Sequence, residues 1–127
     1  MGNGTSIGRV RGLGSAKTGT HHWLLQRFTA IGNLLLVSWF IISLLMLSDF
    51  SYKTTIDWLS RPIPATAMAL LVISTFWHAR LGMQVMLEDY VHEHANKFAC
   101  IAALNLFAFG GAGFGLFCVI RIALGGA

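Results

Sequence analysis

The sequence predicts an all-α membrane protein with three transmembrane helices, and three observations carry that prediction. Of 127 residues, 55% are hydrophobic and only 11% are charged, whereas a soluble domain carries roughly a quarter charged residues. Three apolar runs each extend for about 20 residues, the length that crosses ~30 Å of hydrocarbon as a helix. The basic residues stand singly at the edges of those runs, as charges flanking membrane helices do. A net charge of +4 therefore does not mark a nucleic-acid partner, which would require lysines and arginines gathered on one patch. Membrane lipid is the expected surrounding.

Residues Met1 to Thr20 are rich in glycine, serine and threonine and carry Arg9, Arg11 and Lys17. They lack the apolar core of a secretory signal. A flexible polar amino-terminal tail is expected over residues 1–20, followed by a three-helix membrane anchor over 21–127. The segment is glycine-rich rather than amphipathic, which argues against a basic transit peptide. It favours a bacterial inner (plasma) membrane over a mitochondrial inner membrane.

The first apolar run, Phe28 to Leu47, is broken only by small or polar uncharged residues such as Thr29, Asn33, Ser38 and Ser43. The second, Ala65 to Leu87, contains His78 and Arg80, and the third, Phe98 to Ile120, holds no charge. None alternates as a strand would, and in lipid a helix satisfies every backbone group internally. Spans over about residues 27–47, 65–88 and 97–120 are expected. Asp49 to Pro64 reads as a loop whose prolines prepare entry into the second span. Glu88 to Lys97 reads as a short polar connection. Trp23, Tyr52, Trp58 and Tyr90 fall near span ends, where amphipathic rings prefer to sit. Cys100 and Cys118 lie five helical turns apart in one run, too far for a disulfide, and read as packing residues.

With three spans, the amino terminus and the second connection share a membrane face. Arg9, Arg11, Lys17, Arg27 and Lys97 lie on that side, against Lys53, Arg61 and Arg121 on the other. That bias predicts a cytoplasmic amino terminus. The same topology brings His21, His22, Gln26 and Arg27, at the entrance of the first span, level with Glu88, Asp89 and Tyr90, at the exit of the second. Two polar segments distant in sequence meet there, and a site is expected at that level.

His78 is the most informative residue, because an ionisable side chain inside a span is expensive and usually functional. It can serve as hydrogen-bonded packing glue, as a proton relay, or as a ligand to a metal or haem. Ser74, His78, Gly82, Val85 and Asp89 fall along one helical stripe, and Gly82 removes bulk where a flat macrocycle would lie. No second histidine lies within a span, so a bis-histidine haem would need its other ligand from another protein. Arg80 projects about 200° away from His78. It could face a partner, snorkel to a lipid headgroup, or reach a haem propionate.

Asp89 and Tyr90 admit two readings: a solvated helix end, or a hydroxyl donor and carboxylate relay for a quinone. Acidic residues at a helix carboxyl end oppose its dipole, so a compensating role is expected. Arg27 is either an interfacial anchor or a propionate partner. His92 and His94 flank Glu93 but read as solvated loop histidines rather than a metal pair. Gly111 and Gly115 form a GxxxG pair that lets another helix approach closely.

Two stretches, HHWLLQRFTAI (His21 to Ile31) and HARLGMQVMLEDYVH (His78 to His92), resemble the hydrophobic membrane anchor subunit of succinate dehydrogenase (complex II), the smaller type of anchor in that family. The pattern is R-x-T-A-I at the first span, then H-A-x-x-G-M followed by D-Y, with the histidine eleven residues before the aspartate; His78 and Asp89 keep that spacing. The resemblance covers about a hundred residues. It implies that His78 is an axial ligand of haem b, whose other ligand comes from a sister anchor. Tyr90 then hydrogen-bonds ubiquinone beside Asp89, and Arg27 and His21 lie near the haem propionates. Glu88 and the HHW start look like one branch of the family, and the third span carries no motif to transfer.

The implied complex belongs to the respiratory chain and the tricarboxylic acid cycle. A flavoprotein subunit with FAD oxidises succinate, and an iron–sulfur subunit passes electrons towards the membrane. The chain would pack with a sister cytochrome b556-type anchor and would not be catalytic alone. Two alternatives stand beside that reading: an anchor of a fumarate reductase, and a non-redox structural or transporter-associated membrane subunit.

Overall fold

The computed structural model describes residues 19–125, folded into four helices and no strand among the described residues. They are α1 (Gly19–Leu45), α2 (Tyr52–Leu59), α3 (Pro62–Tyr90) and α4 (His94–Ala123). The long helices α1, α3 and α4 contain 27, 29 and 30 residues and are apolar enough to cross a membrane. At 1.5 Å per residue each is roughly 40–45 Å long, which matches the hydrocarbon plus both headgroup layers. This explains why they outrun the expected spans: helical hydrogen bonding continues into the interface, where apolar composition no longer reports it. The helix α1 already begins at Gly19, inside the stretch read as tail, and ends at Leu45 rather than at residue 47. Residues 1–18, with the rest of that tail, lie outside the described residues.

The segment read as a loop before the second span contains a helix. Ser51 caps α2 by accepting from the Thr54 N–H at 3.3 Å, and Asp49 accepts from the Ser51 N–H at 2.7 Å. Hydrogen bonds from the Ser51 side chain and backbone and from Thr54 hold the Asp49 carboxyl below the usual carboxylate range. Trp58 then stacks on Trp39 of α1 with centroids 6.0 Å apart, folding α2 back against the bundle. Eight residues of mixed polarity are too few for a periodic signal to be read.

Pro62 and Pro64 occupy the first turn of α3, where a missing N–H costs nothing. The helix α3 is central: it packs on both α1 and α4, which do not pack on each other. Among the described residues the few buried apolar ones, including Leu81, Leu104, Ala108 and Val119, all lie on α3 or α4, and α1 buries none. Leu34, Leu35, Leu106 and Phe107 are widely exposed, as expected where lipid tails serve as solvent.

Close approach of α3 and α4 depends on the glycine pair anticipated in the third span. A methyl added at Gly111 would be driven into the Phe76 ring, and one at Gly115 would sit 2.9 Å from Val72 Cγ1. A methyl at Gly110 or Gly113 would meet nothing within 4 Å beyond the helix's own backbone among the described residues. Gly111→Ala is therefore expected to destabilise the bundle by about 1–3 kcal/mol through overpacking. Gly110→Ala should be neutral or slightly stabilising through helix propensity. Thermal unfolding of the two variants in detergent checks the contrast. Beyond α4, Gly125 takes a left-handed conformation at φ 78°, which ends the helix at little steric cost.

Candidate functional site

Polar groups buried between membrane helices must find partners on neighbouring helices, and α1 and α3 supply each other's. Thr29, in the third turn of α1, donates its hydroxyl to the Leu25 carbonyl at 2.9 Å, with the Gln26 carbonyl at 3.2 Å. The same Oγ1 lies 3.0 Å from His78 Nδ1 on α3. One turn earlier on α3, Ser74 reaches the Thr29 carbonyl at 3.5 Å. One turn later, a Cβ on Gly82 would stand 3.3 Å from the Gln26 amide nitrogen. The small-residue stripe of α3 thus receives α1. The room at Gly82, expected to accommodate a flat macrocycle, is filled by Gln26, because a polar α1 residue draws close where α3 has no side chain.

Towards the membrane face these two helices part into a groove of about 750 Å³. Its α1 wall carries His21, His22 and Gln26, and its α3 wall carries Arg80, Gln84 and Glu88. The three α3 residues are spaced i, i+4, i+8 and form one polar stripe on an otherwise apolar helix. Gln84 donates to the Glu88 carboxylate at 2.8 Å. Among the described residues, His22 Nε2 and Gln26 Oε1, with Asn33 Oδ1 farther along α1, are buried without hydrogen-bond partners. Inside a protein each such atom left unpaired costs about 1–3 kcal/mol, and the first two lie on residues that line the groove.

Arg80 joins the groove to α4. Its Nε donates to the Asn105 side-chain carbonyl, and its guanidinium lies 5.6 Å from the Trp77 ring and 5.7 Å from the Phe109 ring. Two aromatic faces and an amide stabilise the charge where a bare arginine would be costly. Arg27, by contrast, is exposed outside the groove and rests over the Trp23 ring at 5.4 Å.

The other expected site residues divide. His21 lines the groove, and His78 lies one turn below Gly82, bonded to α1. Asp89 and Tyr90 stand at the exit of α3 outside the groove, with Tyr90 78% exposed. Lys97 donates to the Glu88 carbonyl at 2.8 Å. This cation offsets the acidic end of α3, so the helix dipole demands no further role from Asp89. His92 and His94 are exposed, and no cluster of three potential metal ligands forms among the described residues.

The meeting of the first span's entrance with the second span's exit follows from topology alone. The pairing of Thr29 with His78, and of Arg80 with Asn105, does not, because a sequence shows which residues share a helix face but not which face a neighbour takes. The Arg80–Gln84–Glu88 stripe is a feature that sequence reasoning missed, although its four-residue spacing is the signal that could have found it.

A histidine held deep between two helices, beneath a polar groove at one membrane face, occurs in a chain whose residues 1–112 match the succinate dehydrogenase/fumarate reductase transmembrane subunit family. The chain belongs to that family. Among relatives of this transmembrane subunit, the succinate dehydrogenase hydrophobic membrane anchor subunit of Rickettsia bellii (strain RML369-C) is 39% identical over 102 residues. That alignment covers 80% of this chain and 82% of the relative. The protein of the same name from Paracoccus denitrificans is 30% identical over 117 residues, covering 91% and 89%. The succinate dehydrogenase membrane anchor subunit of Reclinomonas americana is 30% identical over 95 residues, covering 72% and 79%. The family match takes in α1 and α3 whole and more than half of α4, so these helices are the transmembrane core of a family member.

Proposed function

We propose that this chain is the hydrophobic membrane anchor of a succinate:quinone oxidoreductase, supplying one axial ligand of haem b and part of the ubiquinone-reduction site. The observation that carries the reading is the His78 ring. Its Nδ1 is engaged by Thr29, and among the described residues nothing hydrogen-bonds its Nε2. A haem ligand needs that combination: one nitrogen anchored to the protein, the other available. His78 fits the group and would hold it together with a ligand from a sister anchor. When bound, the haem contributes a one-electron centre within the bilayer.

Two further residues act on the quinone, which enters from lipid as substrate. Tyr90 carries an exposed phenol at the α3 exit and donates to a quinone carbonyl. Asp89 beside it passes a proton from the aqueous face. His21, Arg80 and the unpaired His22 and Gln26 atoms offer hydrogen bonds to polar groups entering the groove, haem propionates among them, while Arg27 meets them at the interface. The amino terminus faces the cytoplasm of a bacterium. A flavoprotein with FAD and an iron–sulfur subunit dock on that face, and the sister anchor packs against the faces α1 leaves open.

Affinity purification of the tagged chain from membranes in mild detergent tests the assembly. The expected preparation contains flavin, iron–sulfur and b-type haem absorbance and oxidises succinate with a quinone acceptor. A colourless chain purified alone overturns the proposal in favour of a non-redox membrane subunit.

A further inference from the structure

We infer that Thr29 is a positioning residue for His78, fixing the tautomer in which Nδ1 carries the proton and Nε2 presents its lone pair. The inference rests on the proposed role of His78 as a haem ligand and adds the means by which one ring nitrogen is selected.

The argument is a count of hydrogens. Thr29 Oγ1 lies 2.9 Å from the Leu25 carbonyl oxygen and 3.2 Å from that of Gln26. Two oxygens at such distances repel unless a hydrogen lies between them. A hydroxyl has only one hydrogen, and in a helix interior it is drawn to the carbonyls of the preceding turn. That hydrogen is used on α1, so towards His78 the oxygen can only accept. The 3.0 Å contact then requires the proton on Nδ1. In a neutral imidazole the other nitrogen is left bare, the form that ligates metals. Were the ring turned to the opposite tautomer, its Nδ1 lone pair would face the Thr29 lone pairs with no hydrogen between them.

Position reinforces the selection. Ser74 reaches the Thr29 carbonyl and Gly32 packs on Ser74, so the α1 backbone carrying the hydroxyl is held against α3. An acceptor on Nδ1–H also strengthens the electron donation of the ring to a metal, which favours the oxidised state of an iron bound at Nε2.

The test uses the assembled complex carrying Thr29→Val, which keeps the shape of the side chain and removes the acceptor, and Thr29→Ser, which restores it. Two readouts beyond turnover are taken: the rate of haem transfer to excess apomyoglobin, and the haem reduction potential from a redox titration. For the valine variant haem should bind roughly 10- to 100-fold more weakly, as happens when a metal ligand loses its supporting hydrogen bond, with a rise in potential. The serine variant should match the native complex in both. Should the valine chain not assemble, Thr29→Cys supplies a weaker acceptor of similar size, for which faster haem transfer and an upward shift in potential are expected. Unchanged haem transfer and potential in the valine or cysteine variant overturns the inference, as does a serine variant that behaves like valine. Loss of haem in His78→Ala beside an unaffected Thr29→Val removes Thr29 from the account while the ligand stands. Haem retained in His78→Ala removes both.

Discussion

With His78 in its proposed ligand role, His78→Ala is expected to abolish the b-type haem absorbance of the purified complex. The side chain lies between two helices and is hydrogen-bonded to Thr29. The alanine removes the only histidine within the three apolar runs, leaving the chain without an imidazole at that depth. With one of its proposed ligands gone, the haem would be lost on purification or show an altered spectrum. The same change removes a part-buried hydrogen bond between α1 and α3, worth about 0.5–1.5 kcal/mol. Looser packing of α1 on α3 should therefore accompany haem loss. His78→Gln separates the two effects, since it refills the space and can still meet Thr29 without ligating iron as imidazole does. It should restore thermal stability and not the spectrum. A native spectrum in His78→Ala would take the ligand role away from this chain.

The second large effect is expected from Tyr90→Phe. Tyr90 is 78% exposed at the last residue of α3, and it is the backbone carbonyl, not the phenol, that meets His92 at 3.1 Å. Folding does not depend on the phenol, so assembly and haem content should match the native complex. On the proposed contact of this phenol with a quinone carbonyl, removing the donor should lower quinone reduction about a hundredfold. Succinate oxidation with an artificial acceptor that draws electrons from the soluble subunits should be unchanged. Equal quinone turnover in both proteins would show that the acceptor sits elsewhere.

The architecture is legible in the sequence because it follows from one strong signal, apolar length. The three spans, their shared polar face and the GxxxG contact at Gly111 all rest on composition or spacing. What escapes has a common cause. The helix α2 is too short for periodicity to register, and its stability comes from the Ser51 cap and the Trp39–Trp58 stack, both of which need three dimensions. Gly82 does make room, as its size suggests, but the occupant of that room, Gln26, lies on a different helix. At the site, His78 is conspicuous because lipid makes a lone imidazole costly. Thr29 is not, since a threonine inside a span satisfies itself on the preceding turn and raises no expectation of a second partner.

The arrangement of Arg80 bears on how the chain enters the bilayer. The middle span has the lowest hydropathy of the three, 1.3 against 2.1 and 1.9 for those before and after it, and it alone carries both an arginine and a histidine deep in its apolar run. Its arginine is accommodated by Trp77 within the span and by Asn105 and Phe109, the latter two synthesised only after the span itself has been made. Two of the three groups that accommodate this charge therefore reach it only once the final span lies beside the middle one.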